Sequence, residues 1–223
     1  MIRRRWVRWG LVVGALSAFG CNNDGTQPAG PPTDVVVGGG DGQNWYFNNP
    51  LPTPLSVTVF DASGRPVPGV AVMWTVTPGA GSGAVNPAQS TTDANGIAST
   101  NDSLGSGTIQ RVSAAVSGLP APATFTEFAT TPPTSAAVSL ENFAFNPQKS
   151  VVQTGGTVTW TWNDGVVGHN VKFNATDPTP HPADSPNQAT GTKTFTFTTP
   201  GTYDFFCSIH QYQGMTGKLT VVH

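Results

Sequence analysis

Apolar and polar residues alternate with a period of two in many short segments of this chain, and glycine, proline, asparagine or aspartate bounds most of them. Leu55–Phe60 (LSVTVF) and Thr157–Trp162 (TVTWTW) are the clearest cases, because every second residue is large and apolar. Such alternation is typical of β-strands with one buried face, since successive side chains point to opposite faces. We predict that Val158, Trp160 and Trp162 face a core and that the intervening threonines face outward.

The strand patterns fall into two groups on either side of a proline-rich stretch. In the first group the predicted strands cover residues 34–37, 55–60, 70–76, 109–116 and 123–128. In the second group they cover residues 137–140, 143–145, 151–152, 157–162, 194–198, 201–207 and 218–222, with a long polar surface loop at 174–191. Short strands at this spacing predict β-sandwiches, and the second set has the strand number of a Greek-key sandwich.

We therefore predict an all-β chain of two β-sandwich domains, at residues 34–130 and 136–223, joined by a linker at 131–135. Pro132 and Pro133 make this linker semi-extended. The composition agrees, because 26 glycines and 20 prolines favour turns, and 223 residues suffice for two small domains.

The first 21 residues have the pattern of a secretory signal peptide. Four arginines lie among the first eight residues, an uncharged, mainly apolar run follows at 9–19, and Cys21 comes after Gly20. This run is too short to span a membrane. Cys21 resembles the acceptor cysteine of bacterial lipoproteins, with ordinary cleavage as the alternative. We expect an exported protein in the periplasm or at the cell surface, anchored to a membrane by a lipid on Cys21 and a flexible tether at 22–33.

The net charge limits the possible kinds of partner, and the cysteine content bears on the state of the remaining thiol. Without residues 1–21 the chain keeps six basic and twelve acidic residues. The resulting negative charge argues against nucleic-acid binding. Cys21 and Cys207 are the only cysteines of the sequence. If Cys21 is acylated, Cys207 is the one thiol of the exported chain, and such a thiol is expected to be buried or metal-bound.

A candidate metal centre lies near the C-terminus, in the segment GTYDFFCSIHQYQGM at residues 201–215. Tyr203, Phe205 and Cys207 alternate, so all three side chains point to the same face of a strand. Aromatic residues on that face belong in a core. We therefore expect the thiol of Cys207 to point inward as well.

Three further donors accompany this thiol. The loop after Cys207 returns His210 and Met215 to the same point, with Gly214 giving the backbone freedom to turn. His169, in the sequence GHNV, must come from another strand end. Two imidazoles, a thiolate and a thioether form the ligand set of a blue-copper electron-transfer site. Structural zinc is the chemical rival, but Met215 is a poor zinc ligand.

The spacing C-x2-H-x4-M, with H-N-V upstream and the strand G-T-Y-x-F-x-C, resembles the cupredoxin family. The loop is most similar to those of plastocyanin and pseudoazurin, and the resemblance covers roughly residues 136–223. It implies one type 1 copper per chain, with the ligands His169, Cys207, His210 and Met215. It also implies that the side chain of Asn170 ties its loop to Ser208 beside the thiolate.

Three positions depart from the plastocyanin pattern. Gly168 and Ile209 stand where plastocyanins usually have proline, and Phe206 stands where they usually have a surface tyrosine. These departures affect the expected redox partner and the reduction potential rather than the identity of the metal. By analogy with the family, the exposed edge of His210, with Tyr212 nearby, is expected to carry the electron out. Phe206 offers a weaker second route on the other strand face.

The first group of strands resembles the bacterial Ig-like domains of surface proteins, in VFDASGRPVPGVAVMW and TDANGIA. Without an intersheet disulfide, Trp74 and the aliphatic strands are expected to supply its core. Asp61 and Asp93 are interpreted as turn residues rather than calcium ligands. No acid–base pair or metal cluster is evident in this part of the sequence, so we interpret it as a spacer between the membrane and the copper domain.

Electron transfer is the leading interpretation, and redox proteins are the expected partners. A copper oxidase or nitrite reductase holds further copper with His-x-His pairs, and the four histidines here form no such pair. We therefore predict no enzymatic activity. His181, in the polar loop, and His223, at the terminus, are expected to be solvated bystanders. A copper carrier or buffer with a more open site, and an adhesion protein with an incidental copper domain, are the alternatives.

Overall fold

The computed structural model describes residues 28–79 and 81–223. The predicted signal peptide, Cys21 and the first part of the tether lie outside them. Apart from a three-residue 3₁₀ helix at Gln211–Gln213, the regular elements of the described residues are β-strands, which confirms the all-β prediction. No helix in this part of the chain has the length and apolar character needed to cross a membrane.

Nine strands precede residue 131 and form two sheets. They are β1 (Pro32–Gly39), β2 (Asn44–Tyr46), β3 (Leu55–Asp61), β4 (Ala71–Val76), β5 (Ala84–Asn86), β6 (Gln89–Thr91), β7 (Ile97–Ser103), β8 (Ile109–Val116) and β9 (Ala123–Thr130). One sheet has the order β1-β3-β7-β5 and the other β2-β9-β8-β4-β6. Trp74 and Phe125 lie at the centre of the core between them, with ring centroids 5.9 Å apart. Aliphatic side chains of β3 complete this core.

Eight strands follow and form a second pair of sheets. They are β10 (Ser135–Glu141), β11 (Ala144–Asn146), β12 (Lys149–Gln153), β13 (Gly156–Trp162), β14 (Lys172–Phe173), β15 (Gly191–Phe197), β16 (Gly201–Phe206) and β17 (Thr216–Val222). The sheet orders are β11-β10-β13-β15 and β12-β17-β16-β14, so strands distant in sequence become neighbours. Phe195, Phe197 and Phe205 surround Trp160, with centroid separations of 5.2 to 6.1 Å.

The alternating segments fold as predicted. Val158, Trp160 and Trp162 are buried and the threonines between them are partly exposed, which confirms the inward face of β13. Strand β7 was not predicted, because its buried positions are the small or polar residues Ala98, Thr100 and Asp102. A strand that buries such side chains gives no apolar alternation in the sequence.

Asp61 and Asp93 use their carboxylates inside their own turns. Asp61 Oδ1 accepts hydrogen bonds from the N–H groups of Ser63 and Arg65, at 2.8 and 3.0 Å. Asp93 Oδ1 likewise accepts from two N–H groups that follow it in its turn, at 2.8 and 2.9 Å. Hydrogen bonds that a carboxylate accepts from the backbone of the next few residues are typical of turn-forming aspartates.

The two sandwiches meet at the C-terminal end of β17. The amide side chain of Asn49 bonds the backbone of His223, accepting from its N–H at 2.9 Å and donating to its carbonyl oxygen at 3.2 Å. Trp45 lies between two crevices of about 360 and 340 Å³ that are lined by residues of both sandwiches. Because β17 begins at Thr216 and ends at Val222, this junction and the loop at 207–215 lie at opposite ends of the second sandwich.

Candidate metal centre

The loop that carries His169 is held from two sides. His169 forms a backbone bridge with Gln188, in which each N–H donates to the other residue's carbonyl oxygen, at 2.9 and 3.0 Å. The indole N–H of Trp162, at the end of β13, donates to the carbonyl oxygen of His169 at 2.8 Å. A core tryptophan thereby fixes the position of the histidine backbone, a role that its alternating pattern does not reveal.

Three backbone hydrogen bonds close the loop that follows β16. The N–H of Cys207 donates to the carbonyl oxygen of Met215 at 3.1 Å, and the N–H of Met215 donates to that of His210 at 3.2 Å. His210 N–H in turn donates to the carbonyl oxygen of Cys207 at 3.1 Å. Gly214 adopts a φ of 87°, the left-handed region that glycine enters without steric cost. This ring of bonds ties together the backbones of the three predicted ligands of the loop.

The side chains of His169, Cys207 and His210 converge. Their ligand atoms all lie within 4.8 Å of one another, and all three residues are buried. The two Nδ1 atoms are 2.9 Å apart, and Cys207 Sγ is 3.6 Å from Nδ1 of His210 and 4.0 Å from Nδ1 of His169. Donors bound at about 2.0–2.3 Å around one ion in a plane lie roughly 3.5–4 Å apart. The two sulfur–nitrogen distances fall in this range, whereas the two Nδ1 atoms lie closer together than a shared ion requires. Met215 is fully buried in the same core cluster as Cys207.

Asp164 is a site residue that sequence reasoning missed. Its carboxylate forms a very short hydrogen bond with Nε2 of His169. A carboxylate accepts, so Nε2 carries the proton and Nδ1 is left free to bind a metal ion. The segment Asn163-Asp164-Gly165 has the composition of a turn, which gives no sign of this second task.

Asn170 joins the two loops of the centre. Its Oδ1 accepts a hydrogen bond from the N–H of Ser208 at 2.8 Å, and its Nδ2 donates to Ser208 Oγ at 2.9 Å. These bonds link the residue after His169 to the residue after Cys207. They hold the two segments together without involving the side chains of the four predicted ligands.

The electrostatics favour a neutral imidazole at His210. Burial lowers the pKa of His210, and the neighbouring His169 lowers it further, while Asp164 acts in the opposite direction. A neutral imidazole is the form that binds a metal ion. The surroundings of His210 therefore favour the form that coordination requires.

The other two histidines of the sequence lie outside this cluster. His181 Nδ1 donates to the carbonyl oxygen of Pro182 at 2.9 Å, and the His181 ring lies 5.4 Å from that of Phe173. His223 is exposed and is held through its backbone by Asn49. Among residues 28–79 and 81–223, the potential metal-binding group contains neither of them.

An apolar surface surrounds the edge of His210. Phe143 lies edge-on to the His210 ring at 4.8 Å and to the His169 ring at 6.1 Å. Its φ is 59°, a rare value for a bulky residue, in the two-residue turn between β10 and β11. Ile209 and Tyr212 are exposed in the loop that carries His210. We call Phe143, Ile209 and Tyr212 the apolar patch.

Comparison with known proteins matches two families along the chain. The family of copper binding proteins, plastocyanin/azurin family, matches residues 133–222, and the bacterial Ig-like domain (group 1) matches residues 48–128. A plastocyanin from Scenedesmus fuscus is 35% identical over 88 residues, which are 34% of this chain and 85% of that protein. Amicyanin-alpha from Methylorubrum extorquens is 31% identical over 91 residues, 40% of this chain and 74% of that protein. A solved structure of oxidized plastocyanin from Dryopteris crassirhizoma is 30% identical, with a TM-score of 0.34, covering 38% of this chain and 98% of that chain.

We predict that Asn170→Ala loosens the junction of the two ligand loops even without metal. The substitution leaves the N–H of Ser208 without its partner, which costs about 1–3 kcal/mol in a partly buried setting. Chemical denaturation of the metal-free protein measures this loss, and amide hydrogen exchange of Ser208 should accelerate. Asn174→Ala is the matched control, because its side chain donates to the carbonyl oxygen of Asp204 at an exposed position. Equal effects of the two substitutions would contradict the assignment.

Proposed function

This chain belongs to the plastocyanin/azurin family of copper-binding proteins, and we propose that it transfers single electrons through one mononuclear type 1 copper held by its second domain. The observation that carries the proposal is the buried convergence of two imidazoles and one thiol, with a buried thioether in the same core. Copper supplies one-electron chemistry between its Cu(I) and Cu(II) states. The residues of the chain bind the ion, exclude water and fix the geometry.

His169, Cys207, His210 and Met215 would hold the copper ion, through two imidazole nitrogens, a thiolate and a thioether. Cys207 binds as the thiolate, because coordination removes the thiol proton. Nδ1 of each histidine faces the thiol, and for His169 the bond from Nε2 to Asp164 sets the tautomer. Soft sulfur donors together with imidazoles favour copper over calcium, magnesium or manganese.

Rigidity of the donor set supports electron transfer. The backbone ring through Cys207, His210 and Met215 and the side-chain bonds between Asn170 and Ser208 hold the donors before any ion binds. A cage that is already formed changes little when the charge of the ion changes. Little reorganisation then opposes the movement of an electron.

Burial of the donors argues against the carrier alternative. A carrier or buffer must take up and release its ion, which requires open access to the ligands. Here His169 and Cys207 are fully buried and His210 is only 9% exposed. Such enclosure suits an ion that stays bound while its redox state changes.

We infer that electrons leave and enter through the edge of His210 beneath the apolar patch. His210 is the ligand that the patch contacts most closely, through the ring of Phe143 at 4.8 Å. Exposed apolar side chains close to a ligand mark an interaction surface, and redox proteins are the partners that this site chemistry requires.

We propose that the protein is exported and anchored through a lipid on Cys21, with no catalytic role. The signal pattern at residues 1–21 and the flexible composition of 22–33 support this arrangement. The domain limits at 34–130 and 136–223 are also proposed, and two separate hydrophobic clusters support them. The first domain then acts as a spacer, because it contacts the end of the second sandwich that lies away from His210.

Addition of Cu(II) to the metal-free protein should produce an intense visible thiolate band and reversible one-electron cycling. Cys207→Ser should abolish the band, since it removes the sulfur, while Met215→Leu should keep the colour and raise the potential by removing an axial donor. His181→Ala is the control histidine and should leave both properties unchanged. Persistence of the band in Cys207→Ser would reject the site.

Copper should also raise the unfolding temperature of the second domain.

A charge placed in the apolar patch should slow electron exchange without changing the spectrum. In Ile209→Glu, two molecules meeting at this patch oppose like charges, which costs about 1 kcal/mol or more and slows self-exchange about fivefold at low salt. NMR line broadening in mixtures of oxidised and reduced protein measures this rate. Ile97→Glu is the matched control, because Ile97 is similarly exposed (41% against 46%) but lies in the first domain. An equal slowing in both variants would exclude the patch as the contact.

Cys21→Ser should move the full-length protein from the membrane fraction to the soluble exported fraction. Loss of the thiol removes the only acceptor for a lipid at this position. Mass spectrometry of the N-terminal peptide measures the attached acyl chains directly. Cys207→Ser, the other cysteine substitution, should leave the protein in the membrane fraction. Membrane retention of Cys21→Ser would show that the anchor is not a lipid on Cys21.

A further inference from the structure

Three polar side chains are buried together between the two sheets of the first domain. Asp102 comes from β7 in one sheet, and Gln110 and Glu127 are cross-strand partners on β8 and β9 in the other. The exposed fractions are 1% for Asp102, 4% for Gln110 and 0% for Glu127. Carboxyl groups are almost never buried this completely unless a partner satisfies them.

Each carboxyl group has one satisfied and one unsatisfied oxygen. Gln110 Nε2 donates to Asp102 Oδ1 at 2.6 Å, and the N–H of Gln43 donates to Glu127 Oε2 at 2.7 Å. Asp102 Oδ2 and Glu127 Oε1 are buried and have no hydrogen-bond partner among the described residues. Two ionised carboxylates in this position would leave two desolvated, unpaired charges, which is strongly destabilising.

No cationic side chain compensates these charges. Arg65 and Arg111 are the basic residues between positions 34 and 130. Arg65 pairs with Asp61 at 2.9 Å. Arg111 is exposed on the face of β8 opposite to Gln110, because successive residues of a strand alternate.

The surroundings of Glu127 and Asp102 favour the protonated form of a carboxyl group. The pKa of Glu127 is raised to about 7, chiefly by burial. The nearby charges of Asp41 and Asp102 act in the same direction, and the backbone hydrogen bonds of Gln43 and Gly42 act against it. Burial also raises the pKa of Asp102, against its hydrogen bond from Gln110. Asp41 is exposed, and its own carboxylate accepts from the N–H of Thr126 at 2.8 Å.

We propose that Asp102 and Glu127 form a proton-binding pair, in which Glu127 keeps one proton while the first domain is folded. A proton on Glu127 leaves the pair with a single negative charge instead of two. This requires no cavity and no cation. The site is separate from the metal centre and does not depend on the proposed function.

The pair anchors the segment that touches the second domain. Glu127 holds Gln43, just before β2, and the carbonyl oxygen of Asp102 accepts from the N–H of Leu51 at 2.8 Å. Between these two anchors lies Asn49, which bonds the backbone of His223. Release of the proton leaves two charges in the gap between the sheets. Segment 43–51 and its contact with the second domain then loosen.

The direction of the pH dependence follows from the raised proton affinity. Between pH 4.5, the ordinary pKa of a glutamate, and about 7, the folded domain retains a proton that the unfolded chain has lost. The stabilisation is therefore complete below pH 4.5 and is lost as the pH rises through about 7. With one proton involved, the unfolding constant of the first domain should rise about tenfold per pH unit in this interval.

Thermal and chemical unfolding of the full-length protein between pH 5 and 8 tests the pair, with hydrogen exchange of segment 43–51 as a local readout. Glu127→Gln keeps a donor at the position of the proton without its ionisation. It should flatten the pH dependence and be more stable than the natural chain at pH 8. Asp34→Asn, at an exposed position of the same domain, is the control and should keep the original slope.

Carbon-13 NMR of the side-chain carboxyl groups tests the same proposal without substitution. The Glu127 carboxyl signal should titrate near pH 7, whereas titration of both Asp102 and Glu127 at ordinary carboxyl values would overturn the pair. Calcium and magnesium are added separately at pH 8. A stabilisation by either ion that disappears in Glu127→Gln would show that a cation, rather than a proton, fills the gap, and would also overturn the proposal.

Discussion

The second domain depends on burying polar donor groups inside an aromatic core without leaving them unsatisfied. His169, Cys207 and His210 lie at the end of a cluster built around Trp160, where water cannot hydrogen-bond to them. Each donor is therefore held by a specific neighbour: Trp162 and Asp164 for His169, and the closed backbone ring for the other two. Because these restraints come from β13, β16 and the loops between them, the sandwich and the metal site form a single structural unit.

The structure could be predicted best in strands whose buried positions are large apolar residues at every second place in the sequence. The inward face of β13 and the ligand strand with Tyr203 and Phe205 could be identified because large apolar residues mark every second position. The spacing of the four donors could be recognised for a different reason, since few other sites combine such ligands. The structure brings three of them into one cluster and buries Met215 nearby.

Polar residues with a tertiary role could not be predicted in this way. Asp164 lies in a turn sequence, and nothing in that local sequence distinguishes a turn aspartate from one that also orients a histidine ring. The buried carboxyl groups of Asp102 and Glu127 are isolated acids in the sequence, and only the pairing of β7 against β8 and β9 brings them together. Phe143 contacts His210 through a turn whose left-handed backbone would ordinarily favour glycine.

The Asn49–His223 contact has a geometric consequence for encounters in solution. It connects the first domain to the C-terminal end of β17. This seven-residue strand separates that end from the ligand loop by roughly 20 Å. The first domain therefore lies away from the face that carries His210. A partner that docks on this face then contacts the second domain alone, and the first domain does not compete with it for the same surface.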